Sequence, residues 1–140
     1  MDKRYIKYFD GYREAYGLAD FEHEEAVVDP ESGKKKPVYR WNYEPLTEKV
    51  YQSHLEEKIS IGIQPCNENS EARFGVIDID PNDYDDFNKK FFIDVIQDYD
   101  LPLIPIESKS GGLHLCLFMD SFINAKDVVA FLLIYFLFLN

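Results

Sequence analysis

Cysteine is scarce in this chain: Cys66 and Cys116 are the only two, they stand far apart, and neither belongs to a CxxC pair. That spacing supplies neither a disulfide framework nor a zinc knuckle, and it fits a reducing compartment. Basic residues are also few, with 15 Lys and Arg against 26 Asp and Glu for a net charge of −11. Such a balance excludes a surface given over to DNA or anionic lipid, so any contact with nucleic acid is local. The opening MDKRYIKYFD has charges where a secretion signal would have its apolar stretch, which points to a cytoplasmic chain. No apolar run reaches the 18 or so residues of a membrane span; the longest, residues 128–139, also lacks the basic flank of a tail anchor. An all-round apolar helix belongs in an interior, so the expectation is a chain that stops inside a larger domain. Repeats and low-complexity tracts are absent, as are the GxxxxGK[ST] loop of nucleotide-driven motors and the His-hydrophobic-His pair of rolling-circle nucleases.

What is present is core material: 46% of the 140 residues are hydrophobic and 16% aromatic, enough for one packed domain over residues 1–140, incomplete at its C-terminal end. Residues 29–37, DPESGKKKP, read as an exposed loop. After Pro45, Val50, Tyr51, His54 and Leu55 share a helical face, with Thr47 placed to cap it. Ile59, Ile61 and Ile63 alternate with polar or small residues as a half-buried strand, and residues 73–80, RFGVIDID, form a second strand that Pro81 ends. Over residues 85–99 Phe87, Phe91, Val95 and Tyr99 make one helical stripe, with acids at its N-terminal end where the helix dipole favours them. Residues 103–107 and 113–119 are apolar runs joined by a Gly-bearing loop and read as a hairpin. Asn124 and Asp127 then form a capping-box-like start to the last helix. The fold class is α/β in the sense of an α+β sandwich: a mixed sheet with a β-hairpin and flanking helices.

Two features carry chemistry. In FGVIDID the period of two places Phe74, Val76, Asp78 and Asp80 on one face of the strand, and carboxylates roughly 6.6 Å apart along it can bracket one or two divalent cations of the kind used in phosphoryl transfer. The bland alternative is a pair of solvated acids, or a cap on the turn that follows. The second feature is the loop Ser108, Lys109, Ser110, Gly111, Gly112 leading to His114. Its hydroxyls, its cation and the backbone N–H groups that glycines can turn inward suit a triphosphate. His114 alternates away from Leu113, Leu115 and Leu117; alone it would read as structural, but behind such a loop it reads as functional. The acids Asp83, Asp85 and Asp86 read as a solvated helix start. Tyr39, Trp41 and Tyr43 beside Lys34, Lys35, Lys36 and Arg40 would make a basic and aromatic platform for a single strand, although core packing explains the aromatics equally well. His23, His54, Cys66 and Cys116 are too scattered for a zinc site.

A strand ending in DxD, then a helix, then a hairpin carrying SxxxH resembles the archaeo-eukaryotic primase superfamily. NYEPLTEKVYQSHLEEKISIGIQP, FGVIDID and SKSGGLHLCLF are similar in order and spacing to the primase domains of phage replication proteins and of bacterial TOTE conflict systems, over residues 41–125; the first forty residues fit loosely. The resemblance implies a primase or primase-polymerase, a nucleotidyltransferase making primers on a single-stranded DNA template in replication. It implies Asp78 and Asp80 as ligands of catalytic Mg²⁺ or Mn²⁺ and His114 as a contact to the phosphates of the nucleoside triphosphate. Ser110 belongs to the same motif, with Ser108 and Lys109 as supporting nucleotide-binding residues. A helicase, fused or separate, is an expected partner, a membrane is not, and the setting is a bacterial or phage-infected cell. The family's third acidic ligand has no candidate after His114 and is expected outside this chain. Two readings compete: an inactive module that binds nucleotide or single strands within a replication or defence protein, and a metal-dependent phosphoesterase that needs only the DxD.

Overall fold

The computed structural model describes residues 3–30, 33, 35–108 and 111–139. They form two compact units, Met1–Glu68 and Asn69–Asn140.

In the first unit, α1 (Lys3–Tyr8) is followed by β1 (Tyr16–Asp20), the two-residue strands β2 (Val27–Val28) and β3 (Lys35–Lys36), β4 (Val38–Asn42), α2 (Glu48–Leu55) and β5 (Ser60–Gly62). Three of the strands make an antiparallel sheet in the order β4-β1-β5, with Gly17 opposite both Trp41 and Gly62, and Ala19 opposite both Tyr39 and Ser60. One face of β1 therefore sends Tyr16 and Leu18 into a core with Ile6, Leu46, Tyr51, Val50 and Ile61. Tyr51, fully buried, donates its hydroxyl to the Phe9 carbonyl at 2.7 Å, so the one polar atom of the deepest side chain is satisfied. The helix expected from Val50, Tyr51 and His54 is α2. Its N-cap Thr47 has extended backbone but makes no side-chain cap bond, and His54 spends Nδ1 on the Ile59 carbonyl at 3.1 Å. α1 and the short β2 and β3 were not foreseen, nor were two longer strands: β1, whose Gly and Ala blur the alternation, and β4, where VYRWN is rich in strand formers. The loop of residues 29–37 is partly paired, because Val27 and Val28 meet Lys36 and Lys35 across β2 and β3.

In the second unit, β6 (Glu71–Ile79) runs into a 3₁₀ turn (Pro81–Asp83), then α3 (Lys89–Asp98), β7 (Leu103–Glu107), β8 (Leu113–Asn124) and α4 (Ala125–Phe136). The sheet order is β6-β8-β7. The α+β reading stands, with one correction: every pairing among the described residues is antiparallel, so the sheet expected to be mixed is not. Ile79, Leu103, Leu113, Leu115 and Leu117 bury one face of this sheet against Phe92 and Ile96 of α3 and against Leu139. α4 lies close over β6, where a Cβ on Gly75 would come within 2.6 Å of Leu132 and 3.0 Å of Val128. Between Ala72 and Phe74 the β6–β8 register shifts, and Arg73 reaches across to the carbonyls of Met119 and Asp120 at 3.3 and 2.5 Å, satisfying acceptors that the bulge frees.

One helix boundary is corrected here. The helix read over residues 85–99 begins only at Lys89, because Asn88 caps it by accepting from the Lys90 N–H; Asp85 and Asp86 precede it and its first turn holds no acid. The apolar last helix has one side in the core and the other open, as expected of a run that nothing in this chain covers: Val128 is buried, whereas Val129, Leu133, Ile134 and Leu137 are exposed. No helix among the described residues is long and apolar enough to cross a membrane.

Candidate active site on the sheet of residues 69–140

Alternation along β6 sends Ile77 and Ile79 toward the helices and Val76, Asp78 and Asp80 to the other side. The antiparallel register sets Asp78 directly opposite His114, and His114 opposite Ile106 on β7. Asp78 Oδ1 lies 3.5 Å from His114 Nε2, longer than a hydrogen bond but within ion-pair range when the ring is protonated, and both side chains are well exposed, at 71% and 47%. An acid and an imidazole thus face one another across neighbouring strands, on the side of the sheet away from α3 and α4. Val76, Ile104 and Ile106 lie exposed on the same side. Cys116, which also points that way, is buried, and burial pushes its thiol pKa up.

Asp80 is held differently. Its Oδ1 accepts from the backbone N–H of Asn82 at 2.9 Å and from the Asn82 side-chain amide at 2.8 Å, making it the N-cap of the 3₁₀ turn. Oδ2 takes no part in that cap. The capping role weighed for these acids therefore applies to Asp80 and not to Asp78. Both carboxylates still leave the strand on one face, and two hard oxygen donors suit a small divalent cation that keeps several waters and completes its shell with substrate phosphates. Among the described residues no group of three His, Cys, Asp or Glu is placed to hold a metal ion, so of the described residues Asp78 and Asp80 are the two carboxylates a cation here could use.

The loop between β7 and β8 comes up against the end of β6. Ser108 N–H donates to the Gly112 carbonyl at 3.0 Å, Gly111 N–H to the Ser108 carbonyl at 3.1 Å, and Gly112 N–H to Ser108 Oγ at 3.0 Å. These bonds close a tight turn in which Gly111 takes a φ of +90°, a conformation that side chains resist. A Cβ on Gly112 would sit 2.2 Å from the Ile79 carbonyl oxygen, the peptide between Asp78 and Asp80. Glycine is required there, and the contact brings the loop beside the paired acids. The amides of Gly111 and Gly112 are spent inside the turn. Lys109 and Ser110 lie outside the described residues. Next to the loop Glu107 pairs with Lys89, which draws the carboxyl below its usual range. The cap on the turn at Asn82 was one of the readings open from the sequence, with the Pro-Asn step after DxD as its signal; the contact of Gly112 with β6 was not read.

With this geometry in hand, the chain matches, over residues 4–136, the family described as TOTE conflict system, archaeo-eukaryotic primase domain. It belongs to that family. The match runs from within α1 to the end of α4 and therefore takes in residues 4–40, which resembled the family only loosely. A search of curated proteins finds no match to the chain. Asp78, Asp80, His114 and the Ser108 turn of this primase-superfamily domain are thus gathered at one end of a single sheet, whereas Tyr39, Trp41, His23 and His54 belong to the other unit.

Proposed function

We propose that this primase-superfamily domain is a metal-dependent nucleotidyltransferase that makes primers on single-stranded DNA from nucleoside triphosphates. The observation that carries the reading is the pairing of Asp78 with His114 across β6 and β8, with Asp80 on the same face and the Ser108–Gly112 turn packed on the peptide between the two acids. Asp78 and Asp80 would hold Mg²⁺ or Mn²⁺, which when bound supplies charge neutralisation at the phosphates and lowers the pKa of an attacking hydroxyl. His114 Nε2 is exposed and aimed along the same face, so a protonated ring has a donor for a phosphate oxygen where Asp78 balances its charge. Ser108, Lys109 and Ser110 would hold the remaining phosphate oxygens. The protein's task is mostly to position and to neutralise, since phosphoryl chemistry asks for little else.

Calorimetric titration of a nucleoside triphosphate, with and without Mn²⁺, tests this in the chain and in Asp78→Ala. Metal-dependent binding that the variant loses is the expected result, followed by primer synthesis on a single-stranded template that the variant cannot perform. Binding that ignores both the metal and the substitution overturns the assignment.

A further inference from the structure

The first unit carries a surface that the Asp78 site does not use. On the face of the β4-β1-β5 sheet turned away from Tyr16 and Leu18 stand Tyr39 and Trp41, 80% and 49% exposed, and the positions beside them are Gly17 and Ala19 on β1 and Gly62 and Ser60 on β5. Large rings on one strand and almost no side chain on the next two leave a shallow groove of about 340 Å³ lined by these residues. Its floor is nearly bare backbone: a Cβ on Gly62 would meet only the Gly17 Cα, at 3.8 Å. Side chains two apart on a strand rise roughly 6.6 Å from one another, close to two stacking layers of about 3.4 Å, so one flat ring fits between Tyr39 and Trp41.

The surroundings select a polyanion. In a chain of net charge −11, residues 32–43 hold four cations, Lys34, Lys35, Lys36 and Arg40, and no acid. Lys35 lies 3.8 Å from Glu22, Lys36 pairs with Asp29 and Arg40 with Asp20 at 3.1 Å, yet their side chains stay 43%, 65% and 56% exposed. Exposed pairs of this kind are weak and are readily exchanged for phosphate. Aromatic rings over a flat floor match the way unpaired bases are stacked; Lys35 and Lys36 of β3 lie just before the strand that carries the rings and can track a backbone there, whereas Arg40, opposite Leu18, stands on the other face.

We infer that this face binds an unpaired nucleic-acid strand by stacking its bases on Trp41 and Tyr39 over the Gly17–Gly62 floor. The inference extends the proposed primer synthesis by naming where a strand lies, and it does not depend on Asp78. Trp41 is the chain's one tryptophan, so its fluorescence reports this surface alone. Titration with a short oligodeoxythymidylate quenches Trp41, and the affinity, read in every variant from the anisotropy of a labelled oligonucleotide, falls by about tenfold in Trp41→Ala while Trp41→Phe retains most of it. Gly62→Val, which the strand tolerates and which fills the floor without touching either ring, lowers affinity comparably. Trp41→Ala keeps the metal-dependent nucleotide binding that Asp78→Ala removes. Oligonucleotide binding that leaves Trp41 unquenched, wild-type affinity in both Trp41→Ala and Gly62→Val, or no binding by the folded chain overturns the inference. Equal quenching by a free nucleoside triphosphate also overturns it, in favour of a mononucleotide pocket. Nucleotide binding indifferent to Asp78→Ala counts against the active site and leaves this surface standing.

Discussion

Asp78 and His114 face each other across two neighbouring antiparallel strands, 3.5 Å apart, whereas Asp80, two residues on, has one carboxylate oxygen committed to Asn82. The two acids of one motif therefore differ in what they do for the fold. Asp78→Ala removes an exposed side chain and leaves the unfolding free energy within about 0.5 kcal/mol of wild type. Asp80→Ala loses an N-cap and lowers it by about 1 kcal/mol. Both abolish metal-dependent nucleotide binding. Urea denaturation beside calorimetry separates the effects, and equal stability loss in the two variants would contradict the cap.

Gly112 couples the β7–β8 turn to the DxD strand. Because its Cβ would stand 2.2 Å from the Ile79 carbonyl oxygen, which is backbone and cannot swing away, Gly112→Ala must push the turn off β6. The expected cost is about 1 to 3 kcal/mol, with nucleotide affinity lowered because Ser108 moves with the turn. Gly33→Ala is the control: at a φ of +67° with nothing within 4 Å, it strains the backbone without a clash and leaves nucleotide binding unchanged.

The strands of the second unit were legible because their alternation is strict: Leu113, Leu115 and Leu117 are buried and the DxD face follows from period two. The helix near residue 85 was misplaced because its stripe, Phe87, Phe91, Val95, Tyr99, keeps helical spacing before the helix begins. Phe87 packs on the core from the loop, at 5.9 Å from the Phe92 ring, so burial imitated periodicity where the backbone did not follow. β1 and β4 were missed because their open face carries small residues on one strand and exposed rings on the other, which local patterning does not read as a sheet. The Asp80 cap is local, two residues along the chain, and was open as one reading of the acids; the Gly112 contact depends on a neighbour that only the folded chain supplies.

That misplacement has a thermodynamic consequence. Asn88 Oδ1 accepts from the Lys90 N–H at 3.0 Å and starts α3, so Asn88→Ala costs about 1 kcal/mol. Asp85 and Asp86 lie before the helix and contribute little to its dipole, so Asp85→Ala and Asp86→Ala each stay within about 0.5 kcal/mol of wild type. Denaturant midpoints of the three variants distinguish this start from one at residue 85, which would reverse their order.

In the first unit one buried tyrosine carries a share of the stability that depends on alkaline pH. Burial pushes the Tyr51 hydroxyl up to about 12 from its ordinary 10, against a weaker opposing pull from Arg13. A group that holds its proton more tightly when folded contributes stability that is fully present below pH 10 and is lost as pH rises through 12. A shift of this size amounts to about 2 to 3 kcal/mol over that window. Tyr51→Phe removes the titration along with the hydroxyl's bond to Phe9, which makes the variant about 1 kcal/mol less stable at neutral pH. The difference in unfolding free energy between wild type and Tyr51→Phe sets this residue apart from the other nine of the ten tyrosines. That difference is constant up to pH 10 and then shrinks, and reverses sign before pH 12. A gap that stays level through the window would mean that Tyr51 ionises as easily in the folded chain as in the unfolded one.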